Sequence, residues 1–317
     1  MRKRLLFIAM AAVLTVACVK TENDGSNVIS FSPVASKATR AIIDGTTYPT
    51  GESFVVSAYV GTAAYFEDLT ASYSSTLRLW ETSTSEYWPL GGSLKFIAYS
   101  PASAGGLSID ATNGVTVSDY TIQSAEAMTT DLLYATYTVA DCSEHPASVP
   151  LTFSHALSQI VFKVKAADYY STQGSTISLA LSSLSLSGIL SVGDFADGSW
   201  DNQETAHTYA LSSTPISLTY GDQNAPVTAD VCANLFLPQE IPADARINVG
   251  YSIAQNISGT TYSIENPPVA IALRSTITEW EPGKKYIYTI SIGLDNLIEF
   301  TATANEWTAQ EGGVVVE

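Results

Sequence analysis

Along most of the chain apolar and polar residues alternate one by one, which is the pattern of a β-strand with one buried face. Phe54 to Val60 (FVVSAYV), Leu94 to Ser100 (LKFIAYS), Gly114 to Ile122 (GVTVSDYTI) and Leu132 to Val139 (LLYATYTV) are runs of this kind. Between them stand Gly91-Gly92, Gly105-Gly106 and Asn113-Gly114, residues that tolerate positive φ and so predict turns. The second half continues with Thr176 to Leu190, Ile216 to Tyr220, Val231 to Leu237, Arg246 to Ala254, Val269 to Leu273, Tyr286 to Ile292 and Leu297 to Asn305. Thr70 to Glu86 is less regular and reads as a long loop or a short helix. No strong helical period appears elsewhere.

The alternation slips phase in two places. In Leu151 to Ala166 (LTFSHALSQIVFKVKA) the apolar positions are first the odd ones, Leu151, Phe153 and Leu157, and then the even ones, Ile160, Phe162 and Val164. Strand side chains point to opposite faces with period 2, so this slip predicts a bulge or bend over residues 156–159. Its position near mid-chain predicts that one domain hands over to the next there. A second slip falls at Ser182-Ser183. Short strands at this spacing, without helices between them, predict antiparallel β-sandwiches, with about seven strands on each side of residue 150. The expected domains are therefore residues 27–150 and 151–317.

Composition supports an all-β, secreted reading. Of 317 residues 46% are hydrophobic and 14% charged, enough for two cores, and Tyr outnumbers Phe by 17 to 10. Residues 1–17 join a basic start (Arg2, Lys3, Arg4) to an apolar run, Leu5 to Val16, too short to span a bilayer, and so read as a signal peptide. Ala17-Cys18 resembles a bacterial lipobox, in which cleavage precedes the cysteine and Cys18 is lipidated; Thr15 departs from the usual large aliphatic there. Ordinary secretion with Cys18 unmodified is the alternative. Several acyl chains on one residue anchor stably, at about 0.8 kcal/mol per buried CH₂. Residues 18–26 read as a lipidated linker, and its acidic stretch Glu22 to Asp24 resembles a signal for export to the outer face of the outer membrane. Loss of residues 1–17 takes the net charge from −17 to −20. A chain this acidic repels phosphate backbones, so nucleic acid is excluded as a partner.

Asn27 to Val34 is strand-like, with Ile29 and Phe31 on one face, and Pro33 predicts an edge position. Ala35 to Arg40 (ASKATR) follows as a small, polar, basic connector.

Chemistry is sparse. His145, His155 and His207 are far apart and match no metal or hydrolase spacing; His155 shares parity with Leu151, Phe153 and Leu157, which turns it inward as a hydrogen-bonded core histidine. Asp194, Asp197, Asp201 and Glu204 fail the EF-hand pattern, and Asp197-Gly198 reads as a turn; calcium is the alternative. Trp200 in the same loop either packs on its own domain or, if exposed, stacks on a sugar. Trp280, Tyr286, Tyr288 and Trp307 read as core and sheet-face residues. Cys142 and Cys232 read as buried free thiols, since their spacing suits neither a metal knuckle nor a redox pair, and a disulfide would need Cα atoms about 4.4–6.8 Å apart. No catalytic residue, metal or cofactor is expected, and the chain is not read as an enzyme.

F-x-H-A-L at Phe153 to Leu157 resembles a segment of the fimbrillin-like proteins of Bacteroidetes. So do YWP (Tyr87 to Pro89), LKFIAYSP (Leu94 to Pro101), DLLYAT (Asp131 to Thr136), LFLPQ (Leu235 to Gln239), WEPGKKYIYTISI (Trp280 to Ile292) and IEFTATANEW (Ile298 to Trp307), in the same order. The resemblance implies two transthyretin-like β-sandwiches in tandem and a lipoprotein that is cut after an arginine and polymerises by donor-strand exchange. Mapped here, Asn27 to Val34 with Ile29 and Phe31 is the removable strand. The bond between Arg40 and Ala41 is the cleavage site, Lys37 being the weaker choice. Val314, Val315 and Val316 after Gly312-Gly313 are a candidate donor, with an ordinary edge strand as the alternative. The implied partners are other fimbrial subunits, the outer membrane through the lipid, and a host or bacterial surface ligand. A pilus tip or anchor protein, a non-polymerising adhesin, and a glycan-binding lipoprotein are the competing roles.

Overall fold

The computed structural model describes residues 27–35, 48–167, 171–172, 175–218, 227–293 and 298–306. Cys18, Lys37, Arg40, Ala41, Trp307 and Val314 to Val316 lie outside these residues. Among the described residues there is no α-helix, only two single 3-10 turns at Cys142–Glu144 and Leu273–Ser275. The protein is all-β, as the alternation predicts.

The first part of the chain supplies β1 (Val34–Ala35), β2 (Phe54–Val60), β3 (Ala63–Ser74), β4 (Leu79–Thr82), β5 (Leu94–Ser100), β6 (Ser108–Asp110), β7 (Gly114–Thr121), β8 (Leu133–Val139) and β9 (Thr152–His155). Then follow β10 (Ser158–Ala166), β11 (Ser171–Thr172), β12 (Ser175–Ala196), β13 (Ser199–Ser212), β14 (Ile216–Leu218), β15 (Ala229–Phe236) and β16 (Gln239–Glu240). The last are β17 (Arg246–Ile257), β18 (Thr260–Ala272), β19 (Glu279–Trp280), β20 (Lys284–Ile292) and β21 (Ile298–Glu306).

A seven-stranded sheet has the order β1-β9-β8-β5-β2-β3-β4. A four-stranded sheet, β15-β10-β20-β21, faces an eight-stranded sheet, β18-β17-β12-β7-β6, to which β11, β13 and β14 add along β12. β16 and β19 form a separate ribbon. The pairings are antiparallel except β1 with β9 and β10 with β20.

The sheets do not divide at residue 150. β7, from the first half, pairs with β12, whereas β9, from the second, pairs with β8. Each half thus lends a strand to the other. The phase slip in Leu151 to Ala166 is the crossing itself: β9 ends at His155, Ala156 and Leu157 bend, and β10 starts in the four-stranded sheet. A change of sheet, not a bulge within one strand, reverses the buried parity.

Packing explains the run FVVSAYV. One face of β2 and β5 (Phe54, Val56, Ala58, Phe96) lies in the first core with Phe31, Trp88 and Phe153. The other face (Val55, Tyr59, Ile97, Tyr99) joins Val115 and Val117 of β7 in the second core. Strands covered on both faces read as near-continuous hydrophobic runs.

The slip at Ser182-Ser183 is a bulge in β12, where the register with β17 shifts between Leu181 and Ser183 opposite Gly250. On the far side of Gly250 the β17–β18 register shifts again, between Val249 and Tyr251, and Pro267-Pro268 occupies that break. Prolines sit at bulges and on edge strands because they cannot donate to a ladder. Gly250 makes room here for two serine hydroxyls, since a Cβ would lie 2.3 Å from Ser183 Oγ and 3.2 Å from Ser182 Oγ and would displace them. Thr70 to Glu86, read as a loop or helix, instead holds the end of β3, a turn and β4. β3 is largely exposed, so its polar sequence shows little of the alternation that marks its neighbours.

Candidate functional site

The segment 27–35 is the most unusual element of the first sheet, because it is bonded along both flanks. On one side Ile29 N donates to Glu86 O (2.7 Å), Phe31 N to Trp80 O (2.8 Å), and Trp88 N and Trp80 N donate back to Asn27 O (2.9 Å) and Phe31 O (3.1 Å). On the other side Ser32 N donates to Val149 O (2.9 Å), Val34 N to Leu151 O (2.8 Å), and Val149 N to Ser30 O (2.7 Å). The two ends of the seven-stranded sheet therefore meet on this segment. Bonding on both sides is confined to the first part of the segment; at Pro33 and β1 the sheet has its end, as the proline predicts. Odd-numbered amides aim at β4 and the stretch after it, and even-numbered ones at Val149 and Leu151. Phe31 opposes Trp80, so Pro33 falls opposite Arg78, in the turn before β4 begins at Leu79. The proline's missing donor has no acceptor to lose.

The apolar face of the segment is held as fully as its backbone. Ile29 and Phe31 are fully buried. The Phe31 ring meets Phe54 and Phe96 edge-on, with centroids at 5.7 and 5.8 Å. Beyond the described gap Tyr48 continues the packing, 5.3 Å from Phe153, and its hydroxyl bonds Ser100 Oγ (2.7 Å) and Ser53 O (3.1 Å). Burial raises this phenol's pKa, and the Ser100 bond offsets part of the rise. Removing residues 27–35 would open an apolar groove flanked by two rows of unpaired backbone groups.

A buried ion-pair geometry marks the crossing between sheets. His155 Nδ1 lies 2.7 Å from Asp131 Oδ2, with both side chains almost wholly buried. The inward histidine expected from parity is therefore in place, and its partner is the Asp that opens DLLYAT. Spacing gives no hint of that pairing, because strand register across β8 and β9 creates it (Leu133 opposite His155). Around it Ala156 N donates to Leu132 O (2.8 Å), Trp200 Nε1 to Ala156 O (2.6 Å) and Gly283 N to Leu157 O (3.0 Å). Tyr120 lies close by, its phenol pushed up to about 12 by burial and, secondarily, by the Asp131 charge. The site is a hydrogen-bonded hinge pin between sheets, built from F-x-H-A-L and DLLYAT together.

The remaining sequence candidates separate. Cys142, buried, belongs to the first core, and Cys232, half-buried, stands opposite Phe162 in the four-stranded sheet, so the two are not brought together. Burial pushes the Cys232 thiol up to about 12. Asp194 bonds Asp119 N (2.9 Å) and Asn202 Nδ2 (2.8 Å), and these bonds hold its carboxyl below the usual range. Asp197-Gly198 is the turn between β12 and β13, both residues at positive φ. Trp280 and Tyr288 are buried and bonded to each other, indole nitrogen to hydroxyl at 2.9 Å, and Tyr286 Oη accepts from Glu281 N at 2.8 Å. Among the described residues no group of three His, Cys, Asp or Glu is placed to hold a metal.

A family model described as fimbrillin-like matches residues 37–307. Among solved structures, one similar fold is a proposed cell adhesion protein of Bacteroides uniformis, 17% identical with a TM-score of 0.52, covering 90% of this chain and 100% of that one. Another, from Bacteroides ovatus, is 16% identical with a TM-score of 0.50, covering 91% and 100%. The fimbrial anchor protein Mfa2 of Porphyromonas gingivalis is more distant, 13% identical with a TM-score of 0.33, covering 88% and 98%. At these identities the likeness concerns the fold. No curated protein matches the sequence.

Proposed function

We propose that this chain, which belongs to the fimbrillin-like family, is a structural fimbrial subunit rather than an enzyme, and that it assembles by exchange of its N-terminal strand. In this reading it is exported as a lipoprotein through Cys18 to the cell surface. A cut between Arg40 and Ala41 then separates residues 18–40, with the strand 27–34, from the rest, and a segment of a neighbouring subunit takes that strand's place. The supporting observation is the double pairing of residues 27–35. An edge strand can be lost with one row of hydrogen bonds exposed, whereas loss of this segment exposes two rows and the pocket of Ile29 and Phe31 at once. Only another strand with apolar alternate residues satisfies both, which is the physical basis of strand complementation. Val314, Val315 and Val316 after Gly312-Gly313 are the proposed donor.

Arginine-specific proteolysis of the soluble chain tests the reading. Cleavage after Arg40 should convert monomers into polymers that persist on dilution. Arg40→Ala should block both events, and deletion of residues 312–317 should permit cleavage but stop assembly. A cut protein that loses its 27–40 peptide and stays monomeric at high concentration would overturn the shaft-subunit role in favour of an anchor, tip or non-polymerising adhesin.

A further inference from the structure

Away from the closing segment, a cleft of about 310 Å³ lies between the β12–β13 turn and the β16–β19 ribbon. Trp200 and Gln203 line one wall, Glu240, Glu279 and the exposed Pro282 line the other, and buried Trp280 lies beneath. We propose that this cleft binds a neutral carbohydrate, one or two pyranose rings in length.

Trp200 is half-buried and held in place. Its indole nitrogen donates to Ala156 O at 2.6 Å, and its ring is wedged against Phe195 and Tyr120, with centroids at 5.1 and 5.5 Å. An indole fixed in this way cannot collapse into the cleft when it is empty, so it offers a pre-formed apolar wall at little entropic cost. A pyranose carries a C–H face that packs on such a surface and a rim of hydroxyls that need acceptors. The acceptors are present. Gln203 holds its Nε2 on Pro238 O at 2.8 Å, which fixes the direction of its amide oxygen. Glu240 and Glu279 stand directly opposite on the ribbon.

That acidic pair costs stability, since like charges at directly opposed strand positions repel. Arg274 relieves it on one side only, pairing with Glu240 at 2.5 Å while also donating to Ile241 O. Glu279 is exposed and engages no cation among the described residues. Glu279 is thus an exposed acceptor open to a ligand, and hydrogen bonds from hydroxyls to a carboxylate are roughly twice as strong as neutral ones. A cationic ligand fits less well because one of the two charges is already neutralised. The cleft is at the small end of ligand sites, about 300–1,000 Å³, and its lining comes entirely from residues 198–282.

The test uses the uncut monomer, so polymerisation has no bearing on it. Saturation-transfer NMR with D-galactose, D-mannose, N-acetylglucosamine, lactose and cellobiose should show saturable binding of at least one, with Kd in the millimolar range typical of about −4 kcal/mol. Glu279→Gln, at an exposed position, should weaken that binding about tenfold, and Trp200→Phe, checked for native circular dichroism, should weaken it while Trp200→Ala removes it. Three outcomes overturn the proposal: none of the five sugars saturates, binding survives Glu279→Gln and Trp200→Ala unchanged, or N-acetyl-lysine methylamide binds in their place and is displaced by salt.

Discussion

Replacing Phe31 by alanine removes a side chain that the first core cannot refill. The phenyl ring is fully buried, and both ring neighbours, Phe54 and Phe96, are themselves fully buried in strands β2 and β5. Backbone donors and acceptors of residue 31 are untouched, so the substitution isolates the packing contribution from the double row of hydrogen bonds. Truncating a wholly buried Phe costs about 3–5 kcal/mol, the two edge-to-face contacts included. With a urea m-value of about 3 kcal/mol/M, the first-core transition should move down by about 1–1.7 M. Trp80 and Trp88 lie in that core, so tryptophan emission follows it directly. Val34→Ala is the control, being 38% exposed on the same segment, and should change stability by no more than about 0.5 kcal/mol. If Phe31→Ala and Val34→Ala have the same midpoint, residues 27–35 do not close the sheet, and strand exchange loses its physical basis.

Three further expectations follow from the geometry. Gly250→Ala should cost about 1–3 kcal/mol by overpacking against Ser183, and the double variant with Ser183→Ala should recover most of that loss in the same thermal melt, because the 2.3 Å contact is to Ser183 Oγ. Asp131→Ala should destabilise by about 3–5 kcal/mol, since it strips a buried partner from His155; Asp131→Asn, which keeps an acceptor at the same place, should cost clearly less by urea titration. Stability should fall as pH rises from about 9 to about 12. Over that window the Cys232 thiol, ordinarily 9.0, ionises in the unfolded chain but stays protonated when buried, so the folded state binds more protons and loses ground to the unfolded state. Cys232→Ala should remove the part of that fall that sets in near pH 9 and leave the part set by buried phenols such as Tyr48 and Tyr120.

How much of this is legible in the sequence depends on what each strand faces. β5 matches its predicted bounds because both its faces are covered, Leu94, Phe96 and Ala98 in the first core and Ile97 and Tyr99 in the second, so that nearly the whole run is apolar. β13 and most of β18 leave no such mark, for the opposite reason; only the end of β18 falls in the predicted run Val269 to Leu273. Nearly every residue of Thr260–Ala272 is exposed, so no face of that strand is selected to be apolar, and only its ladder with β17 holds it extended. Both phase slips are visible, because a change of buried parity has to appear in sequence, but whether a slip means a bulge (Ser182-Ser183) or a change of sheet (Ala156-Leu157) is decided by which partners are available. The cleft is the least legible feature. Trp200 stands out, whereas Gln203, Glu240 and Glu279 are ordinary polar residues until register brings Glu240 opposite Glu279.

The closing segment also fixes an order of events. Residues 27–35 are the first of the described fold to be synthesised, yet their second row of partners lies at Val149 and Leu151, more than a hundred residues later. Contacts so distant in sequence carry a large loop-closure cost. The strand made first thus waits for its second row until Val149 and Leu151 are made. Until Val149 and Leu151 are in place the first sheet has two open ends, and anything that covers nascent strands must cover both for that interval.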